Sequence, residues 1–190
     1  NCFWEQEGAY TGEISQAMLK KIGCSYVIIG HSERRHWLGE TDEMINQKLV
    51  ASLEAKLKVI LCTGEDRNEE VGLVMERQVR AALRGVSRTR IKDIVITYEP
   101  IWAVGTDDPC LPEEALKSTL LIRKILTQLY DRATADQTEI IYGGSVEGSN
   151  AADYIKKSGM NGLLLGRASL KINEVLKIIK NIELLESFKK

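Results

Sequence analysis

Glu99 has the setting in this sequence that most favours chemistry. It directly follows the β-branched apolar run 95–98, which is typical of a buried strand. Pro100 comes next and fixes the direction in which the chain leaves, because its ring locks φ. The loop beyond carries Trp102 and Gly105, and such a loop could fold over a ligand. A carboxylate in a dry, covered pocket is suited to take a proton from a carbon beside a carbonyl group. An ion-paired or helix-capping glutamate fits the same position equally well.

His31 is the second candidate, since it follows Gly30 at the end of another predicted strand. An imidazole there could polarise a carbonyl oxygen, or it could be a structural histidine held by hydrogen bonds. The residues after it, Glu33, Arg34 and Arg35, are most simply a salt-bridge cluster. Two further residues could be partners in that cluster or solvated side chains: Glu40 and Glu65. Cys62 is predicted to be a small buried hydrophobic residue.

Two turns that contain glycine indicate an anion site. Gly143, Gly144 and Ser145 follow one predicted strand, and Gly166 follows the next. Glycine lets the backbone approach a ligand closely, and helix N-termini attract anions. Together the two turns predict a phosphate site of a kind that many α/β barrels share, whereas either turn alone would be an ordinary connection.

The elements that position these residues alternate regularly along the chain. Short apolar runs predict strands at 26–30, 59–62, 94–98, 140–142 and 162–165. Helical patterns are expected at 14–21, 42–56, 68–84, 112–133, 151–157 and 172–185. Short apolar strands separated by helices predict a parallel sheet covered by helices. Without a linker or a low-complexity segment, residues 1–190 are expected to form one domain.

The candidate residues all follow the carboxyl ends of predicted strands. In parallel α/β folds these ends meet on one side of the sheet, which is where sites are built. The loops on the opposite side, 23–25 and 56–58, are plain connections. This asymmetry is the strongest argument for an active site that the residues alone provide.

Composition excludes several classes of protein. A net charge of −1 does not favour nucleic acid or a membrane surface. No apolar run approaches the roughly 20 residues of a membrane span, and the start does not resemble a signal peptide. Four scattered cysteines and two histidines predict reduced thiols in a cytoplasmic protein rather than disulfides or a metal centre. Because the chain starts at Asn1 and not at Met, it is expected to be a processed or incomplete piece.

Four motifs resemble the triosephosphate isomerase family in order and spacing. They are YVIIGHSERR at 26–35, ITYEPIWAVGT at 96–106, YGGS at 142–145 and LGRASL at 165–170. The resemblance covers essentially the whole chain, and the first two motifs together are highly specific. It implies a TIM (β/α)8-type barrel, here with about five βα units and lacking roughly the first three strands.

The resemblance also implies roles for particular residues. Glu99 would be the base and His31 the neutral electrophile, a pair that lies beneath a closing loop in this family. Residues 100–110 would be that loop, called the lid below. Supporting positions would be Ser32, Glu33, Glu65 (in contact with Trp102) and Tyr142, which would hold the closed lid. Phosphate contacts, largely from backbone N–H groups, would come from Gly105, Ser145, Gly166 and Arg167.

The implied reaction interconverts dihydroxyacetone phosphate and glyceraldehyde 3-phosphate without a cofactor or a metal. The loop from Phe3 to Glu13 would insert into a partner subunit of a homodimer. Three departures from the family pattern stand out. Arg167 occupies a position where a second glycine is common, and residues 107–110 replace the usual lid hinge, with Pro109 restricting the residue before it. The lysine of the family's first loop has no counterpart in a matching motif. The alternative reading is therefore an impaired partial barrel that binds phosphate ligands or assembles with other chains.

Overall fold

The computed structural model describes residues 1–106 and 108–187; Asp107, in the predicted lid hinge, lies outside the described residues. Five strands form one sheet in the order β1-β2-β3-β4-β5, and every neighbouring pair is parallel. They are β1 (Tyr26–Ile29), β2 (Lys58–Thr63), β3 (Ile94–Tyr98), β4 (Glu139–Tyr142) and β5 (Gly162–Leu163). The predicted parallel α/β fold is therefore confirmed, and it is consistent with a TIM-type domain.

Helices connect successive strands, as the alternation of patterns predicts. The α-helices of the described residues are α1 (Gln16–Lys21), α2 (Ser32–Leu38), α3 (Asp42–Glu54), α4 (Val71–Ala82), α5 (Pro112–Leu129), α6 (Arg132–Gln137), α7 (Ala151–Lys157) and α8 (Ile172–Ser187). Short 3₁₀ helices cover Arg88–Asp93, Ile101–Ala103 and Arg167–Leu170. Ser15 and Thr41 cap α1 and α3 by accepting hydrogen bonds from backbone N–H groups of the first turn.

The two faces of the sheet are covered to different degrees. Ile29, Leu61, Ile96 and Ile140 form one row across four strands in register, and all four are fully buried against the helices. On the opposite face of β1, Tyr26 and Ile28 remain 48% and 36% exposed. The apolar core therefore lies between the sheet and its helices.

Several predicted segments differ from the structure. The polar run after His31 is helix α2, because His31 itself caps it and Gly39 ends it at φ +64°. The single helix expected over 112–133 ends at Leu129, and α6 begins after Asp131, whose side chain accepts a hydrogen bond from the Thr134 N–H at 2.7 Å. A local side-chain cap thus starts a second helix inside what looks like one apolar pattern.

The last strand is shorter than predicted. Only Gly162 and Leu163 are paired with β4, although the Leu164 N–H still donates to the Tyr142 carbonyl at 2.8 Å.

Helix α4 begins at Val71 rather than near residue 68, because Glu70 accepts the N–H groups of Gly72 and Leu73. In the described part of the chain, no helix combines the length and the apolar character needed to cross a membrane.

Candidate active site

Glu99 and His31 meet at the carboxyl edge of the sheet. Glu99 follows β3 and is 2% exposed, while His31 follows β1. His31 Nε2 lies 2.9 Å from Glu99 Oε1, and the Ser32 N–H donates to Glu99 Oε2 at 3.1 Å. Both carboxylate oxygens are therefore held by donors that come from the start of α2.

The hydrogen bonds of His31 define its tautomer. Nδ1 accepts the Glu33 N–H at 3.3 Å, so a neutral ring carries its proton on Nε2 and donates it to Glu99. The hydrogen bond to Glu99 raises the pKa of His31 above its ordinary value, and burial opposes this rise. The negative charges of Glu99 and Glu33 add to the rise.

Close backbone packing at Gly64 holds Glu99 in place. A Cβ on Gly64 would lie 1.9 Å from the Glu99 carbonyl oxygen, so only glycine fits there. The Glu99 N–H donates to the Thr63 carbonyl at 2.7 Å. The buried Gln78 side chain then fixes Gly64 from α4, accepting its N–H at 2.9 Å and donating to its carbonyl at 3.0 Å.

The turn after β4 passes directly beside the base. A Cβ on Gly143 would be 2.7 Å from Thr97 Cγ2 and 3.4 Å from Glu99 Cβ. Cys62 is fully buried, as predicted; burial, and next the nearby Glu99 charge, raise the pKa of its thiol. The base therefore lies among apolar and weakly polar groups with little access to water.

Glu65 anchors the start of the lid. Its Oε1 accepts the Trp102 indole N–H at 2.9 Å and the Tyr98 hydroxyl at 3.0 Å. Arg67 stacks over the Trp102 ring with its guanidinium carbon 5.1 Å from the centroid. The 3₁₀ helix Ile101–Ala103 is thereby tied to the end of β2.

Tyr142 contacts the far end of the lid. Its hydroxyl accepts the Cys110 N–H at 3.2 Å, and its ring stacks on Tyr154 with centroids 3.9 Å apart. Tyr154 in turn donates to the Cys110 carbonyl. Two buried tyrosines therefore hold the backbone just before α5.

The loops predicted to bind phosphate lie next to one another around the lid. Ser145 Oγ is 2.8 Å from the Ala103 carbonyl and 2.5 Å from the Thr106 carbonyl. Arg167 Nη2 donates to the same Thr106 carbonyl at 3.1 Å. Gly105, between them, adopts φ +68°, a left-handed conformation that suits glycine. Gly166 directly precedes the 3₁₀ helix Arg167–Leu170.

The charged residues after His31 form two separate groups. Buried Glu40 accepts hydrogen bonds from Arg34 and from buried Lys48, so it is a partner in the predicted cluster. Arg35 pairs instead with Asp42 at 2.6 Å. Glu65 does not belong to either group, since it faces the lid. Glu33 is exposed, with one carboxylate oxygen 4.0 Å from His31 Nδ1.

Sequence reasoning missed three residues that support the site, namely Gly64, Gln78 and Tyr98. A glycine directly after the strand that ends at Thr63 was the available signal for Gly64, because such positions permit close backbone approach. Gln78 and Tyr98 carried no local signal, since each acts on a residue at least 14 positions away.

A buried carboxylate against an imidazole at the carboxyl edge of a parallel α/β sheet is suited to an enzyme that moves protons with its own side chains. A sequence model of the triosephosphate isomerase family matches residues 1–182. The triosephosphate isomerase of Aquifex aeolicus (strain VF5) is 48% identical over 183 residues, covering 94% of this chain and 73% of that protein.

Two further relatives agree with this. The triosephosphate isomerase of Chloroherpeton thalassium is 44% identical over 187 residues (96% of this chain, 74% of the relative). The triosephosphate isomerase of Dictyoglomus turgidum is 45% identical over 185 residues, which cover 95% of this chain and 74% of that relative. The chain belongs to the triosephosphate isomerase family, and it is an isomerase.

Proposed function

We propose that this chain interconverts dihydroxyacetone phosphate and glyceraldehyde 3-phosphate, a step of glycolysis and gluconeogenesis. The observation that carries the proposal is the 2.9 Å contact between His31 Nε2 and Glu99 Oε1. It supports the proposal because a carboxylate and a hydrogen-bond donor lie side by side at one edge of the sheet, next to turns suited to an anion. Family membership supports the same reaction.

In the proposed mechanism, Glu99 removes a proton from the substrate carbon beside the carbonyl group. The electrons of that C–H bond form the double bond of an enediolate, and the carbonyl π electrons move to oxygen. His31, neutral and protonated on Nε2, donates a hydrogen bond to that oxygen. His31 gives its Nε2 proton to that oxygen and takes up the proton of the neighbouring hydroxyl group, so the negative charge moves to the second oxygen. Glu99 then returns its proton to the former carbonyl carbon, and a lone pair of the second oxygen forms the new C=O bond, which completes the exchange of ketose and aldose. No step in this sequence needs a cofactor or a metal ion.

The carboxylate must change partners during the cycle. Its oxygens are held by His31 and the Ser32 N–H in the structure. Substrate binding between the ring and the carboxylate would replace the first of these contacts. His31 would then lose the hydrogen bond that raises its pKa, which favours the neutral imidazole that the mechanism requires.

The phosphate of the substrate is proposed to bind where the lid, the β4 turn and the β5 turn meet. Backbone N–H groups of Gly105, Ser145, Gly166 and Arg167 would supply the hydrogen bonds. The hydrogen bonds from Ser145 and Arg167 to the Thr106 carbonyl support this grouping, since they draw all three loops together. Glu33 and Ser32 would support His31 and Glu99, while Glu65, Trp102 and Tyr142 would position the lid.

Glu99→Gln tests the proposed base. The amide keeps the shape of the carboxylate but cannot accept the proton, so the turnover number should fall about 10³-fold. The measurement is isomerisation of glyceraldehyde 3-phosphate by the purified chain, with folding checked by circular dichroism. Glu54→Gln, on the exposed face of α3, is the matched control and should retain full activity.

Two outcomes of this experiment would contradict the proposal. Equal activity of wild type and Glu99→Gln would overturn Glu99 as the base. A folded wild-type chain that binds inorganic phosphate without turnover would favour the impaired partial barrel over the isomerase. That alternative is supported by the sequence, in which the lysine of the family's first loop has no counterpart in a matching motif.

At the level of architecture, we infer that residues 1–190 belong to one domain and that the five strands are part of an eight-stranded barrel. The half-exposed side chains of Tyr26 and Ile28 support this, because the inner face of a closed barrel is filled by residues from all its strands. We further infer a cytoplasmic homodimer that uses the loop from Phe3 to Glu13. The four free cysteines support a reducing compartment.

A further inference from the structure

We propose that the Arg167 guanidinium is a positioning group that ties the lid to the phosphate loop after β5 and strengthens phosphate binding. This inference rests on the proposed function of the site and adds to it a role for one side chain. In the proposed phosphate site, Arg167 contributes its backbone N–H group. The role proposed here belongs to the side chain. The family commonly has a glycine at this position, which has no side chain to play such a role.

The geometry of the contact carries the proposal. Arg167 begins the 3₁₀ helix after β5, and its Nη2 reaches the Thr106 carbonyl in the lid at 3.1 Å, across 61 positions of sequence. The same carbonyl is 2.5 Å from Ser145 Oγ. One lid carbonyl therefore receives a cationic donor from the β5 loop and a neutral donor from the β4 loop.

Ser145 cannot satisfy both lid carbonyls by itself. Its hydroxyl has a single proton and lies within hydrogen-bond distance of both the Ala103 and the Thr106 carbonyls. It can fully satisfy only one of them at a time. When Ser145 donates to the Ala103 carbonyl, the Arg167 guanidinium still donates to the Thr106 carbonyl, and a charged donor makes a stronger hydrogen bond to a carbonyl than a neutral one.

The guanidinium is also suited to an anion beside the lid. It has five N–H donors in a rigid plane, so one group can serve several acceptors at the same time. Arg167 directly follows Gly166, whose backbone is proposed to contact the substrate phosphate. A positive charge at this position would add attraction for the phosphate and would make its binding favour the closed lid.

The test compares Arg167→Gln, Arg167→Lys and Arg167→Gly with wild type. Inorganic phosphate is the probe, and its dissociation constant is measured by calorimetry. Hydrogen exchange of the peptide 100–106, followed by mass spectrometry, reports on the lid. Arg132→Gln is the matched control, because Arg132 is an exposed arginine whose ion pair lies within α6.

We expect Arg167→Gln to raise the dissociation constant of phosphate about three- to tenfold, as for one partly exposed charged contact. The KM for triose phosphate should rise by a similar factor, while kcat changes less than about threefold because Glu99 and His31 are untouched. Exchange of the lid peptide should quicken, with exchange in α5 unchanged. Arg167→Lys should recover part of the phosphate affinity but not the protection of the lid, since an ammonium lacks the planar fork.

Phosphate affinity and lid exchange within twofold of wild type in Arg167→Gln would overturn the proposal. Weaker phosphate binding with unchanged lid exchange would overturn the tie between Arg167 and the lid. Phosphate binding and hydrogen exchange do not require turnover. If the wild-type chain failed to isomerise triose phosphates, the proposed function would fall while the role of Arg167 would still be decided.

Discussion

Glu99 and His31 show how two ordinary side chains become a matched pair through their surroundings. The carboxylate lies at the end of a buried strand and accepts hydrogen bonds from His31 and from the Ser32 N–H. The imidazole caps α2, so its Nδ1 faces a backbone donor and its Nε2 faces the carboxylate. A proton on Nε2 is therefore preferred in the neutral ring, which is the form that can donate to a substrate oxygen.

The pKa of His31 provides a prediction at this scale. Glu99→Gln removes the charged hydrogen-bond acceptor that raises this pKa, so the pKa of His31 should fall. The measurement is a pH titration of the histidine Cε1 protons by NMR. The chain has one other histidine, exposed His36, and His36→Gln assigns the two signals. An unchanged pKa of His31 in Glu99→Gln would show that Glu99 does not hold the ring.

The raised pKa of His31 in the wild-type chain also sets the direction of a pH effect on stability. Since the pKa of His31 is raised in the folded chain, the contact with Glu99 contributes stability at pH values below the ordinary histidine pKa of about 6.5. That contribution is lost as the pH rises through the pKa of the folded state. The difference in free energy of unfolding between wild type and His31→Gln should therefore shrink from acidic to alkaline pH in urea titrations.

At the scale of elements, the strand ends are fitted together by close backbone contacts. Gly64 after β2 lies against the Glu99 carbonyl, and Gly143 after β4 lies against Thr97 and Glu99. Gln78 reaches from α4 to bind both backbone groups of Gly64. The position of the base thus depends on neighbouring loops and on one helix, as well as on its own strand.

Gly64→Ala tests this dependence. The added Cβ would meet backbone atoms 1.9 Å away, which cannot move as a flexible side chain can. We expect a loss of about 3 kcal/mol or more in the free energy of unfolding, together with a displaced Glu99 and a large loss of activity. Urea unfolding and the isomerase assay measure the two effects.

Gly39→Ala is the control for that substitution. Gly39 has φ +64° and open space where a Cβ would lie, so the expected cost is the conformational one of about 1 kcal/mol, with activity retained. Equal losses in the two variants would argue against a special steric role for Gly64.

At the scale of the whole molecule, the loop from Phe3 to Glu13 is the segment proposed to form the dimer interface. Phe3 packs against Trp4 and Tyr10 with ring centroids 4.0 and 4.6 Å apart. The loop therefore has a local aromatic cluster that gives it shape. Tyr10 nevertheless remains 45% exposed, which suits a surface that a partner subunit covers.

Tyr10→Asp tests the proposed dimer. A charge in this aromatic cluster should raise the dissociation constant of the dimer about tenfold or more, because it places an unpaired charge in an apolar contact. Sedimentation velocity over a range of micromolar concentrations measures the change. Leu73→Asp alters an exposed apolar residue of α4 outside the loop and should leave the constant unchanged. A well-folded wild-type monomer at these concentrations would contradict the dimer.

The sequence by itself determined the parallel α/β fold and the side of the sheet on which the candidate residues lie. Apolar runs of strand length, each followed by a polar residue and then a helical pattern, were sufficient because strand and helix periods are local properties. For the same reason, β3 and α7 agree with their predicted bounds. The predictions failed where a side chain ends or starts a helix, at His31 and Asp131.

Only the tertiary structure decided how the strand ends fit together. The contact between His31 and Glu99, the close approach of Gly64 to the Glu99 carbonyl, and the hydrogen bond from Arg167 to Thr106 each join residues far apart in the chain. Their distances depend on sheet register and on the packing of every intervening helix. No local pattern of residues contains that information, since it arises when the helices pack on the sheet and bring the loops together.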